Sequence, residues 1–177
     1  MKLHQIKIEF VPEHDRLLLA ISTAQGAEGE GQEMLLWLTR RCVKLLWPGL
    51  LKLAAAAPDI ALQSHPQARQ ALLGMRHEAA LGQADFSQPY EAAPRARPLG
   101  AEPLLVARMQ SQVLGSGQFL LDLLPREGEG VSLTLDETLL HSFSRLLAGA
   151  VARADWDMQL GLPVAEAGEG DMPSSIN

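Results

Sequence analysis

The chain contains few of the residues that most often carry chemistry or recognition. Its 177 residues include one cysteine and one tyrosine, and aromatic residues make up 5%. A single cysteine excludes an internal disulfide, and the five histidines lack the HxxxH or HExxH spacing of a metal site. No GxGxxG, GxxxxGK[ST] or GxSxG motif is present. We therefore assign no catalytic, metal-binding or cofactor-binding residue and expect no cofactor.

The chain also lacks a long apolar run that is free of charge. Its most apolar stretch, MLLWLTRRCVKLLWPGLLKL at residues 34–53, carries Arg40, Arg41 and Lys44. Each cation near the middle of a membrane span costs ~2.5 to 3.5 kcal/mol, which excludes a membrane anchor. The N-terminal MKLHQIKIEF alternates polar and apolar residues and shows no signal core, so we expect a cytoplasmic protein.

Positive charge is scarce as well. The formal net charge is −6, and the region after Ala154 holds five acids and no Lys or Arg, so removing that −5 leaves −1 for the body. A near-neutral body argues against bulk attraction to nucleic acid or anionic lipid. Because 47% of the residues are apolar and 20% charged, we predict one globular domain at 1–157 and a flexible acidic tail at 158–177.

Two regions of the chain repeat the same order of predicted elements. At 1–57, the segments IKIEF, RLLLAIS and EMLLWLT predict three strands, and Thr39 caps a helix. At 104–157, LLVARMQSQVL, QFLLDLL and VSLTL predict three strands, and Asp136 caps a helix. We interpret these regions as pseudo-repeats, either by duplication or by convergence of pattern. The predicted apolar helix faces comprise Cys42, Val43, Leu46, Leu50 and Leu53, and Leu139, Leu140, Phe143, Leu147, Ala150 and Val151.

A helix and a proline-rich linker join the two halves. The helix is predicted at 64–83, with Ser64 and Gln67 spaced as a capping box. Four prolines between 85 and 103 predict an irregular linker. The predicted apolar stripe of the helix is Ala68, Leu72, Met75 and Ala79. The fold class is α+β, with two β-β-β-α halves whose antiparallel strands form one sheet, a sandwich or a partial barrel packed with helices.

The candidate site lies where the first helix begins. Arg40 and Arg41 follow the cap at the positive end of the helix dipole, where each cation is disfavoured by ~0.3 to 1 kcal/mol. They predict an anion or partner site together with Lys44 and Trp47, or else ion pairs with Glu28, Glu30 or Glu33. Pro48 predicts a kink or a break into two short helices, Trp47 is an exposed anchor or a core residue, and Cys42 is a buried apolar residue or an activated thiol.

The stretch Trp37-Leu38-Thr39-Arg40-Arg41, followed by a helix with LLWP and a second helix ending in QADFSQPY, is similar to a family of small proteobacterial proteins. The resemblance covers chiefly residues 17–90. It implies a bacterial cytoplasmic protein and transfers no catalytic residue. The element order is also similar to the sandwich heads of eukaryotic DNA end-joining and centriolar scaffold proteins, which implies an assembly role, although their long coiled coil is absent here.

Three functions follow as hypotheses. The leading one is a non-catalytic binding or assembly module, a homodimer that associates through an apolar helix or sheet surface or that binds another protein. The second is a nucleic-acid or phosphate-ligand protein that uses Arg40, Arg41, Lys44 and Trp47. The third is an enzyme whose site has no recognisable motif.

Overall fold

The computed structural model describes residues 3–24, 31–86, 88–91 and 95–163, and it contains two sheets and four helices within those residues. Residues 25–30 and the part of the predicted tail from 164 onward lie outside the described residues. The α+β class is confirmed, and neither sheet closes into a barrel within the described residues. The strands are β1 (Leu3–Val11), β2 (Arg16–Thr23), β3 (Glu33–Leu38), β4 (Leu104–Leu105), β5 (Arg108–Val113), β6 (Phe119–Leu124) and β7 (Val131–Leu135). The helices are α1 (Arg40–Ala54), α2 (Pro58–Ala61), α3 (Pro66–Gln83) and α4 (Glu137–Ala154).

Each half forms an antiparallel meander of three strands followed by a capped helix. The first sheet has the order β1-β2-β3-β4, and the second has the order β5-β6-β7. The Thr39 hydroxyl accepts a hydrogen bond from the Cys42 amide at 3.1 Å, and the Asp136 carboxylate accepts one from the Leu139 amide at 2.8 Å. Both predicted caps therefore end a strand and start a helix in the same way.

The helix of each half packs on strands of the other half. In the first half, α1 contacts β5, and in the second half, α4 contacts β1 and β2. At one of these contacts the Cys42 sulfur lies 3.3 Å from the Met109 sulfur. A single cluster of buried residues consequently includes side chains from both sheets and both helices.

The first predicted strand of the second half divides between the two sheets. The backbone N–H of Val106 donates to the Trp37 carbonyl at 3.0 Å, and the next N–H, of Ala107, donates to the Leu124 carbonyl at 2.8 Å. Before this point β4 runs parallel to β3, and after it β5 pairs antiparallel with β6. A single continuous strand over this segment is therefore wrong, because one pair of residues transfers the chain from sheet to sheet.

Three predictions about the helices are corrected. The break at Pro48 is wrong, because α1 continues through it to Ala54. Pro48 lies on the exposed side, where water can replace the hydrogen bond that proline cannot donate. The capping box is also wrong, because α3 begins at Pro66 and its N-cap, His65, makes no side-chain hydrogen bond. The predicted stripe of α3 is displaced, since Met75 is 59% exposed while Gly74, His77 and Ala80 are buried.

The predicted linker at 85–103 contains no helix or strand within its described residues. We call these residues the connector. The first residues after α4 lie against the body, with Met158, Leu160 and Leu162 partly buried on the core.

Candidate functional site

The predicted cations are on the surface of α1. Arg40, Arg41 and Lys44 are exposed. None of their side chains forms an ion pair or hydrogen bond within the part of the chain that the structure describes. Of the three acids considered as partners, Glu28 and Glu30 lie outside the described residues, and Glu33 binds other groups. The first turn of α1 contains no acid. No carboxylate on that turn therefore offsets the repulsion between Arg40, Arg41 and the positive end of the helix dipole.

Trp47 lies apart from these cations. Its side chain is 7% exposed and belongs to the core cluster, which agrees with the interpretation of Trp47 as a core residue. Two residues that we did not predict lie instead on the exposed side of α1, namely Lys52 and Leu45, which is 61% exposed. The helical period of 3.6 residues could have identified both.

The first sheet carries apolar side chains on both of its faces. On the core face, Leu17, Leu19, Leu36 and Leu38 are fully buried. The alternate residues of the same strands, which must point to the other face, include Leu18, Leu35 and Trp37. In register, Leu18 pairs with Trp37, and Trp37 pairs with Leu105 of β4. We call Leu18, Leu35, Trp37 and Leu105 the outer apolar patch.

The outer apolar patch is partly open to solvent. Leu105 is 44% exposed, and the other three side chains are half-buried. The His14 ring, from the turn between β1 and β2, contacts the Trp37 ring with centroids 5.0 Å apart. An antiparallel sheet with one solvated face ordinarily presents polar side chains there, so this patch is a candidate contact surface.

The connector covers the opposite end of the same face. There Gln5, Ser22 and Glu33 pair across β1, β2 and β3. The Gln5 amide donates to the Pro89 carbonyl and accepts from the Glu91 N–H, each at 3.0 Å. Ser22 and Glu33 are consequently buried, although both lie on the outer face.

Glu33 is the main attachment point of the connector. Its carboxylate accepts hydrogen bonds from the Tyr90 hydroxyl at 2.9 Å and from the Arg97 guanidinium at 2.8 and 3.1 Å. Burial, followed by the hydrogen bond and charge of Glu33, raises the pKa of Tyr90 to about 12, which keeps the phenol a donor. Sequence reasoning missed this cluster because its members are 57 and 64 residues apart.

A buried histidine pair joins α3 to α4. The Nδ1 atoms of His77 and His141 lie 2.9 Å apart, and both residues are almost fully buried. Burial lowers the pKa of both rings, that of His141 to about 4, with the neighbouring His77 as its second cause. Local spacing could not identify this pair, because 64 residues separate its members.

Arg76 reinforces the same helix contact. Its guanidinium bridges Asp59 of α2 and Glu137 of α4. The two carboxylates raise the pKa of Arg76, with the Glu137 hydrogen bond as the largest cause. The histidine pair and this bridge hold three helices together through polar contacts.

Four further ionisable groups, Cys42 and three residues that line a cleft, have structural partners or deep burial. Burial raises the pKa of the Cys42 thiol to about 12, so the thiolate is disfavoured at neutral pH. A cleft of ≈ 630 Å³ between β1, the connector and α4 includes His4, Lys7 and Asp136 in its lining. His4 lies 3.6 Å from Glu91, Lys7 pairs with Glu9, and Asp136 caps α4.

The described residues show no sign of a metal site or a membrane span. Within the described ranges, no group of three or more His, Cys, Asp or Glu residues could hold a metal ion. Among the same residues, no helix is long and apolar enough to cross a membrane. No protein-family model, curated protein or solved structure matches the chain. The family resemblance over residues 17–90 and the scaffold likeness therefore stay predictions.

Proposed function

We propose that the chain is a non-catalytic binding and assembly module that forms a homodimer through the outer apolar patch. The observation that carries this proposal is the row Leu18–Trp37–Leu105, which pairs in register across three strands on the face opposite the core. Covering such a row removes apolar surface from water, which favours association by about 25 cal/mol per Å² buried. Of the two kinds of surface predicted for self-association, a helix surface and a sheet surface, this observation favours the sheet surface.

The charges beside the outer apolar patch are compatible with a second copy of the chain as its partner. In a two-fold dimer the same patch meets itself, so the rim must be self-complementary. The neighbouring strand positions on the outer face supply both signs, with Glu9 paired to Leu18 in register and Arg16 paired to Val11. A two-fold arrangement can therefore bring a carboxylate of one copy toward a guanidinium of the other.

Sedimentation of the full chain over a range of concentrations tests the proposal. We expect a dimer that Leu105→Glu converts to a monomer, because Leu105 is 44% exposed within the patch and a buried unpaired carboxylate opposes association. Leu62→Glu is the matched control, since Leu62 is 84% exposed and lies outside the patch, and we expect it to remain dimeric. A wild-type monomer at high concentration, or equal dissociation of both variants, would refute the homodimer.

The cytoplasmic location and the absence of catalysis belong to the same proposal. His4 and Lys7 each lie beside a carboxylate, and Asp136 caps α4. These structural contacts support a binding role more than a catalytic one. The enzyme hypothesis predicts a small ligand that raises the melting temperature, and a ligand screen tests it.

A further inference from the structure

The exposed side of α1 carries cations near its start and in its last turn. Arg40, Arg41, Lys44 and Lys52 are all exposed, and α1 contains no Asp or Glu. At 3.6 residues per turn, these cations and Leu45 fall within an arc of about 140° and extend over about 18 Å of helix. We call these five residues the basic face.

The cations of the basic face differ from the paired cations elsewhere. None of the four forms an ion pair or hydrogen bond within the described residues. By contrast, Arg76, Arg97 and Lys7 each lie against a carboxylate. Folding alone disfavours Arg40 and Arg41 at the start of a helix, so their placement is better explained by a negatively charged partner.

We infer that the basic face binds an acidic protein segment, a run of Asp and Glu that includes an apolar residue. Four cations that have no carboxylate partner among the described residues supply the charge complementarity. Leu45, which is 61% exposed among them, can contact the apolar residue of such a segment.

Nucleic acid fits this surface less well. Binding to single strands generally combines cations with aromatic side chains on which bases stack, and the aromatic residue of α1, Trp47, is 7% exposed. The basic face shares no residue with the outer apolar patch, and this inference does not depend on the proposed homodimer.

Fluorescence anisotropy with the full chain tests the inference. The probe is a labelled synthetic peptide of alternating Glu and Asp with a central Leu, and labelled oligothymidylate is the competing probe. We expect the peptide to bind at low salt and to weaken as salt rises. Arg41→Ala combined with Lys44→Ala should weaken binding by about 2-fold to 30-fold, because each exposed pair contributes ~0.2 to 1 kcal/mol.

Two further variants separate the contributions of charge and apolar contact. Leu45→Ser should weaken peptide binding without changing its salt dependence. Lys44→Ala combined with Lys52→Ala leaves the first helical turn intact and should weaken binding over the same range as the first pair. Arg126→Ala combined with Arg153→Ala removes exposed cations from other elements and should leave binding unchanged.

Circular dichroism melting establishes that each variant is folded before its affinity is compared. Absence of peptide binding at low salt would overturn the inference, as would an equal loss in the Arg126 and Arg153 control. Tighter binding of oligothymidylate than of the peptide would also overturn it, in favour of the nucleic-acid hypothesis.

Discussion

Acidification should destabilise the chain through the histidine pair that joins α3 to α4. A hydrogen bond between two Nδ1 atoms requires one donor and one acceptor, and the bond of 2.9 Å between His77 and His141 is lost if both rings become cations. The charges that face the pair come from both helices and include both signs: Glu78 and Arg145 act on His77, and Arg76 and Glu137 act on His141. Burial nevertheless remains the largest cause of the lowered pKa of each ring.

The magnitude follows from the pKa of His141, which falls from 6.5 to about 4 on folding. Between these values the unfolded chain binds more protons than the folded chain, so stability falls as the pH falls from 6.5 toward 4. At pH 5, about 1.5 pH units below the unfolded pKa, the loss is about 2 kcal/mol at 1.36 kcal/mol per unit. Asp59, whose pKa is lowered by Arg76, has an ordinary value of 3.8 and titrates below this window.

Urea unfolding at pH 7.5 and pH 5 measures this loss. The combined variant His77→Leu and His141→Leu should lose much less stability than the wild type over the same interval, because both titrating rings are replaced by apolar side chains. His65→Gln, at an exposed position, should behave as the wild type. Equal stability of the wild type at both pH values, or an equal loss in the double variant, would refute the reasoning.

Two stability predictions concern other parts of the fold. Glu33→Gln should lower the free energy of unfolding by about 1 to 2 kcal/mol, because it weakens the hydrogen bonds to Arg97. Urea unfolding measures this change, and an unchanged free energy of unfolding would contradict the prediction. Gly130→Ala should cost about 2 kcal/mol or more, because the new Cβ would lie 2.2 Å from the Leu123 carbonyl oxygen. Gly82→Ala is its control and should raise the melting temperature, since its Cβ meets nothing within 4 Å and alanine favours the helix by ~1 kcal/mol.

Local patterns predicted the elements where one residue period controls both conformation and burial. The period-2 alternation of Ile6, Ile8 and Phe10 predicted β1, and the caps at Thr39 and Asp136 predicted the starts of α1 and α4. These signals succeed because hydrogen bonds within a helical turn and alternation along a strand depend on residues close in sequence.

Local patterns did not predict which elements pack together where the contact joins residues that are distant in sequence. The α3 stripe was assigned to Met75 and Ala79, although the buried face includes His77, because α3 packs on α4 through a polar pair that a hydrophobic pattern does not register. Neither a glycine nor a proline marks the point at Val106 where the chain passes from the first sheet to the second. The passage depends instead on hydrogen bonds to the edge strands of the two sheets.

The sequence by itself determined the α+β class, the strand-strand-strand-helix order of each half and the apolar face of α1. Only the tertiary structure decided that the strands form two sheets, that α1 and α4 each pack on the other half, and which charges of the described residues are paired. The physical reason is that periodicity and capping are local. The strand pairing of Leu105, the cover over Glu33 and the lack of a carboxylate beside Arg40 and Arg41 among the described residues each depend on residues far apart in the chain.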